Sequence, residues 1–304
     1  MKILFAIDGS DCSKEVIETG LKLNCAPGTE LKVAAVSQVI ETLAVLPGLK
    51  EKELEAVTRL VDDVQADLAA AHPEATVTGA VLDGFAVEEI LDLSESWKAD
   101  LIVLGTHGRK GLSNFLLGSV ARAVLLHARC AVRIVRTGAK ERKGFANVIL
   151  ALDDSEHSKH LIEHVIALPW QDNVQFHCVH VVREAESDLI LDPDAWFGSP
   201  LTQQRESAVS LHQNWVESAA KKINTALGPE KAHAEVLIGD ARSQLIELAR
   251  RWPADLIMLG SHGRNAIQKL ILGSVSESVA SHAPCSVEIA RVPAFRQAKM
   301  HIIV

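Results

Sequence analysis

The sequence predicts an α/β fold built twice over: two tandem, doubly wound, parallel five-stranded sheets of Rossmann-like type in one chain. Three observations predict it. First, Lys2-Ile-Leu-Phe-Ala-Ile-Asp8-Gly-Ser returns as Asn147-Val-Ile-Leu-Ala-Leu-Asp153-Asp-Ser, so the chain repeats itself. Second, short apolar strand patterns alternate with amphipathic helical ones, as in a parallel sheet covered on both faces. Third, the fourth apolar strand of each repeat runs into glycines, Gly105-Thr-His-Gly-Arg-Lys-Gly and Gly260-Ser-His-Gly-Arg-Asn-Ala. Each stretch ends on Gly-Ser, at Gly118-Ser119 and Gly273-Ser274.

In the first repeat a strand runs to Asp8, and Ser10 or Ser13 starts a helix through Val16, Ile17, Leu21 and Leu23. Leu31 to Val36 is a second strand. Leu54, Val57, Leu60, Val61, Val64 and Leu68 recur at helical spacing. Thr76 to Leu82 is the third strand, Val87 to Trp97 the third helix and Leu101 to Leu104 the fourth strand. Ser119 to His127 is the fourth helix and Ala131 to Val135 the last strand. The second repeat follows at an offset of 145 residues at Asp153 and of 155 at Gly260, so its ten extra residues fall between its second strand and second helix. Thr137 to Phe145, charged and glycine-bearing, reads as a linker. The expected domains are 1–138 and 145–292, with 293–304 as a tail.

A chain of 304 residues has room for two domains, each with its own core. The formal net charge of −8 argues against nucleic acid as a partner, since no basic face could release many counterions. The apolar runs are too short to span a bilayer, and Asp8 comes too early for a secretory signal. The expected location is the cytoplasm, with no membrane partner. Five cysteines, odd in number and without C-x-x-C spacing, suggest neither a disulfide framework nor a zinc knuckle. Cys130 and Cys285 occupy equivalent places before the last strands, as small buried side chains would. Cys12, just beyond Asp8, has no activating neighbour visible in sequence.

Glycines between a strand and a helix N-terminus suit an anion, because the first N–H groups of a helix have no intrahelical partner and carry the positive end of its dipole. Gly105, Gly108 and Gly118 would allow positive φ and let a phosphate approach without meeting a Cβ. Ser119 and Ser274 would cap the following helix or donate to phosphate, and Ser274-Val-Ser-Glu277 reads as a capping box. Glycines after a strand are also ordinary turn chemistry; finding the same spacing twice favours phosphate.

Gly-x2-Gly-x9-Gly-Ser, preceded by a buried strand and accompanied by an Asp ending the first strand, resembles the ATP-binding signature of the universal stress protein family. The resemblance covers nearly the whole chain as two tandem domains. It implies strand order 3-2-1-4-5 and ATP as the ligand, with Mg²⁺ left open. It implies that Asp8 and Asp153 face the nucleoside, flanked by Gly9, Ser10 and Ser155; these aspartates could equally cap the first helix, and the two roles are compatible. Adenine would lie against the backbone at Val36 or Ser37, and at Val179 or His180. The turns Gly84-Phe85-Ala86 and Gly239-Asp240-Ala241 would form a wall. Gly105, His107, Gly108, Arg109, Gly118, Ser119 and Val120 would line the ribose and phosphates, with Gly260, His262, Gly263, Arg264, Gly273, Ser274 and Val275 as counterparts.

No carboxylate partner or metal spacing accompanies His107 or His262, so neither reads as a catalyst. His157, His160 and His164 lie at helical spacing without the Glu of an H-E-x-x-H motif, and no metal site is assigned to them. Two departures fall in the second repeat: Ala266 stands where the first has Gly111, and Asp154 where it has Gly9. If one site has lost ATP, it is expected to be that one. The expected function is nucleotide-dependent regulation in the stress response, with at most slow hydrolysis; the alternative is an interaction module of the same fold without nucleotide. The loops of adenylating ligases after the first strand are absent. The last strands, Val132–Val135 and Val287–Ala290, are expected to pair within the chain as a pseudo-dimer, and a homodimer of such chains is left open.

Overall fold

The computed structural model describes residues 1–37, 48–108, 117–136, 145–183, 201–261 and 272–291. The first repeat comprises β1 (Lys2–Ile7), α1 (Asp11–Leu21), β2 (Glu30–Ser37), α2 (Leu49–Ala71), β3 (Thr76–Asp83), α3 (Ala86–Ser96), β4 (Leu101–Gly105), α4 (Ser119–His127) and β5 (Ala131–Val135). The second comprises β6 (Asn147–Ala151), α5 (Glu156–Ala167), β7 (Gln175–Val182), α6 (Leu201–Leu227), β8 (Ala232–Ile238), α7 (Ala241–Arg251), β9 (Leu256–Gly260), α8 (Ser274–His282) and β10 (Ser286–Ala290). By place within each repeat the strand order is 3-2-1-4-5, as expected. β1 lies parallel to β2 and β4, β2 to β3 and β4 to β5. Likewise β6 lies parallel to β7 and β9, and β7 to β8.

The strand composition explains the layers. On β1, Ile3, Phe5 and Ile7 point into a core shared with Val16 of α1 and with Val57, Val61, Val64 and Leu68 of α2. Leu4 and Ala6 point the other way and are buried too. Both faces of a central parallel strand are covered, so its sequence is apolar throughout rather than alternating. Leu54, which the periodicity placed on the buried stripe, is 42% exposed; the stripe begins one turn later, at Val57.

The chain divides into two compact units, Met1–Gly144 with Ser286–Val304, and Phe145–Cys285. The last strand of the second repeat thus belongs to the first unit. There β10 runs antiparallel to β5, with Val287 opposite Ile134, Glu288 opposite Arg133 and Ile289 opposite Val132. This is the expected pairing of the two last strands. Arg133 meets Glu288 through Nε at 2.7 Å and Nη2 at 2.6 Å, with the two side chains 3% and 0% exposed. Just beyond β10, the Arg291 guanidinium donates to the Leu125 and Ala128 carbonyls at 2.6 and 3.0 Å, at the C-terminal end of α4. A cation there meets unpaired carbonyls and the negative end of the helix dipole.

Candidate functional site

β1 and β4 are neighbours, and α1 and α2 cover one face of the sheet while α3 packs with α4. In an open α/β sheet of this order the carboxyl ends of two such neighbouring strands mark the switch point where ligands bind, and β1 and β4 are placed for it here. Asp8 stands there, one residue past β1, beside residues 105–108 that leave β4.

A small hydrogen-bonded frame fixes Asp8. Its N–H donates to Ser13 Oγ at 2.9 Å, while its Oδ1 accepts from Ser13 Oγ at 2.6 Å and from the Ser10 N–H at 3.0 Å. Ser10 is the N-cap of α1, its side chain accepting from the Ser13 N–H. Asp8 thus supports the start of α1, as the capping alternative proposed. The frame is repeated at the second site. The Asp153 N–H donates to Ser158 Oγ at 2.8 Å, and its Oδ1 accepts from the hydroxyls of Ser155 and Ser158. Gly9 has φ of +77°, whereas Asp154 is not among the positive-φ residues. The Ser10 backbone N–H reaches Asp8; at the second site the Ser155 hydroxyl does that task. In the sequence Ser13 reads only as an alternative start of α1, and Ser158 is not singled out; their bonds to the two aspartates were missed, although the shared spacing Asp-x-Ser-x-x-Ser was there to be read.

The glycines of the first site are small for a steric reason. Gly105, Gly108 and Gly118 lack the positive φ expected of them, and Gly118 has φ of −62°. What they avoid is contact. A Cβ at Gly108 would lie 2.6 Å from Asp8 Oδ2, one at Gly105 would lie 2.6 Å from Cys12 Cβ, and one at Gly118 would lie 3.1 Å from the Thr106 carbonyl oxygen. The Gly118 N–H donates to that carbonyl at 2.7 Å, and the Gly273 N–H donates to the Ser261 carbonyl at 2.9 Å. Both loops are thus closed by the same bond.

That closure makes Gly118 and Gly273 the N-caps of α4 and α8, with no side-chain cap at either. Ser119 and Ser274 are the first helical residues and exposed, so neither caps its helix and Glu277 is one residue too far along for a capping box. The expectation failed because a residue caps only from extended geometry, and Gly118 and Gly273 have taken that position. The first intrahelical bonds run from the Arg122 N–H to Gly118 and from the Glu277 N–H to Gly273. Among the described residues nothing accepts from the N–H groups of Ser119, Val120 and Ala121, or of Ser274, Val275 and Ser276.

At the end of β2, Val36 is half-buried. Ser37 is 1% exposed, and its hydroxyl has no hydrogen-bond partner among the described residues. Its carbonyl accepts from the N–H of Gly84, as the Val182 carbonyl accepts from Gly239. Val181 and Val182 are therefore the positional counterparts of Val36 and Ser37. Val179 lies further inside β7 with its carbonyl taken by the Leu152 N–H, and His180 is buried, bonded through Nδ1 to the Leu152 carbonyl. That part of the mapping is corrected by the strand register. Gly84 and Gly239 have φ of +150° and +135°, and Phe85 is 75% exposed on the first of these turns.

Burial, and secondarily the charge of Arg136, lowers the pKa of His107 from its ordinary value. Arg109, His262, Gly263, Arg264 and Ala266 lie outside the described residues. His157, His160 and His164 form no metal-sized group of three ligand atoms among the described residues. A groove of about 720 Å³ lined by Gln175, Asn224, Lys231 and His233 lies at the opposite end of β7 and β8, away from this chemistry.

Against known proteins, the model of the universal stress protein family matches residues 1–136 and again residues 144–291. The chain belongs to the universal stress protein family. It carries two family domains in tandem. It is 29% identical to universal stress protein Rv2623 of Mycobacterium tuberculosis over 274 residues, 85% of each chain. With Rv1996 of the same organism it shares 25% identity over 321 residues, covering 96% of this chain and 95% of that one. A crystal structure of a universal stress protein from Archaeoglobus fulgidus superposes with a TM-score of 0.64 at 21% identity, covering 97% of both chains. At that identity the likeness concerns the fold. No helix among the described residues is long and apolar enough to cross a membrane.

Proposed function

We propose that this universal stress protein binds ATP at the crevice of each repeat and acts as a nucleotide-dependent regulatory protein rather than as a rapid enzyme. The observation that carries the reading is the closure of both loops onto Gly118 and Gly273. Among the described residues it leaves the first turns of α4 and α8 without acceptors at their N-termini, where a polyphosphate would find N–H donors and the positive end of a helix dipole. The residues fit such a ligand. A Cβ at Gly108 would crowd the Asp8 carboxylate, and the Ser37 hydroxyl is buried at the end of β2 with no hydrogen-bond partner among the described residues.

In this reading Ser119, Val120 and Ala121 hold phosphate through backbone N–H groups. Asp8 accepts from ribose or adenine, and Val36, Ser37 and the Gly84 turn border the base. Ser274, Val275, Asp153 and the Gly239 turn do the same in the second repeat. Bound ATP supplies charge and ordering. Among the described residues the candidate proton acceptors are weak ones: Asp8 is committed to α1 through Oδ1, and burial and the charge of Arg136 lower the basicity of His107. Hydrolysis is therefore slow at most.

Mass spectrometry of the small molecules released from freshly purified protein tests the reading. ATP or ADP at near-stoichiometric amounts is expected. Protein that releases no nucleotide, and takes none up when ATP is added, would favour the nucleotide-free interaction module.

A further inference from the structure

We propose that Cys25, His72 and Glu74 form a binding site for a divalent transition metal of the zinc class. Cys25 lies between α1 and β2, His72 is the C-cap of α2, and Glu74 sits in the turn before β3. The site is therefore at the amino-terminal ends of β2 and β3, the edge of the sheet opposite the nucleotide crevice. One sulfur, one nitrogen and one oxygen donor lie within 4.8 Å of one another.

The hydrogen bonding of His72 prepares it as a ligand. Its Nε2 lies 2.8 Å from the Gly20 carbonyl oxygen, which can only accept, so Nε2 carries the proton and Nδ1 presents a lone pair. Nδ1 faces Glu74 Oε1 at 3.8 Å. In the neutral imidazole two acceptors thus confront each other, and a cation between them satisfies both. Donation from the second ring nitrogen to a backbone carbonyl is the outer-shell arrangement of zinc-bound histidines, fixing both tautomer and ring orientation. His72 is 4% exposed, so its ring is held by packing as well.

The spacing is of metal size. Zinc bonds of about 2.0–2.3 Å in tetrahedral array put donors roughly 3.3–3.8 Å apart. The imidazole and carboxylate, 3.8 Å apart, need to close by a few tenths of an ångström to reach the roughly 3.3–3.6 Å of a nitrogen–oxygen pair, and the thiol has at most about 1.5 Å to move. A thiolate, imidazole and carboxylate set selects zinc or cobalt over calcium or magnesium and leaves a fourth position for water. The corresponding positions of the second repeat hold Trp170, Leu227 and Pro229, so the site belongs to the first repeat alone. Metal there would tie the segment before β2 to the turn before β3.

Cobalt titration of the reduced, metal-free full-length chain tests the proposal, because a thiolate ligand gives a charge-transfer band that surface histidines cannot. One equivalent of Co²⁺ should develop the band, and Zn²⁺ should bleach it. Cys25→Ser should lose the band, and Glu74→Gln should bind at least about tenfold more weakly, both with unchanged far-ultraviolet circular dichroism. Independently of any variant, Zn²⁺ should slow alkylation of Cys25, read by peptide mass spectrometry. Absence of the band from the wild-type chain, its persistence in Cys25→Ser, or equal alkylation rates with and without Zn²⁺ would overturn the proposal.

Discussion

Gly108 is kept small by a neighbouring carboxylate. A Cβ there would meet Asp8 Oδ2 at 2.6 Å, and Asp8 cannot swing away without giving up its bonds to Ser13 and Ser10. Gly108→Val should therefore weaken ATP at least tenfold in the first repeat by calorimetric titration, with an unchanged circular dichroism spectrum. The position was legible because its glycine recurs at fixed spacing. The reason was not: positive φ was expected, whereas the constraint is a close approach between residues a hundred positions apart.

Three histidines give a pH dependence whose sign is set. Burial is the main cause holding His107, His157 and His177 below the usual range, with Glu235 pulling the other way at His177. Near pH 6 the unfolded chain then binds more protons than the folded one, so this part of the stability is present above about pH 6.5 and is lost as pH falls below it. Thermal melts taken down through this window should show a falling midpoint, and His157→Gln should flatten the slope. An unaltered slope in that variant would contradict the burial argument.

At the scale of elements, the start of α1 and the proposed first nucleotide site share one frame. Ser13 both accepts the Asp8 N–H and donates to its carboxylate. Ser13→Ala should cost about 1–2 kcal/mol in denaturant unfolding. It should also weaken ATP, because the carboxylate loses its orientation; a stability loss with unaltered ATP affinity would separate the two roles. Element boundaries were legible where chemistry changes sharply, as at α4 and β5, which run as their patterns indicated. They were less so at α2, whose first turn, Leu49-Lys-Glu-Lys, carries no apolar stripe to announce it. Of the two roles offered for Ser119, capping or donation to phosphate, capping failed because sequence shows which side chains can cap, but not which residue adopts the extended torsion.

For the whole molecule, the duplicated strand pattern disclosed the tandem order, while the pairs that close the structure were invisible in it. Arg133 and Glu288 are 155 positions apart, and charged residues in strands ordinarily read as solvent-facing. In fact they are fully buried partners across β5 and β10. Glu288→Leu should cost about 3–5 kcal/mol, since it leaves a buried guanidinium without its carboxylate. The double replacement Arg133→Met with Glu288→Leu should recover most of that loss in urea unfolding. Recovery would show that the loss comes from the unpaired buried charge rather than from the net stability of the ion pair. Cys25 and His72 were equally illegible: only the fold brings together residues from the entrances to two different strands.

The account rests on two glycine-closed loops that leave helix N-termini open to a polyphosphate. Calorimetric titration of ATP into the full-length chain and into the Gly118→Val/Gly273→Val double variant tests it most directly. The wild-type chain should bind ATP, and the folded double variant should show no saturable binding. The same isotherm from both proteins, or no binding by the wild-type chain, would contradict it.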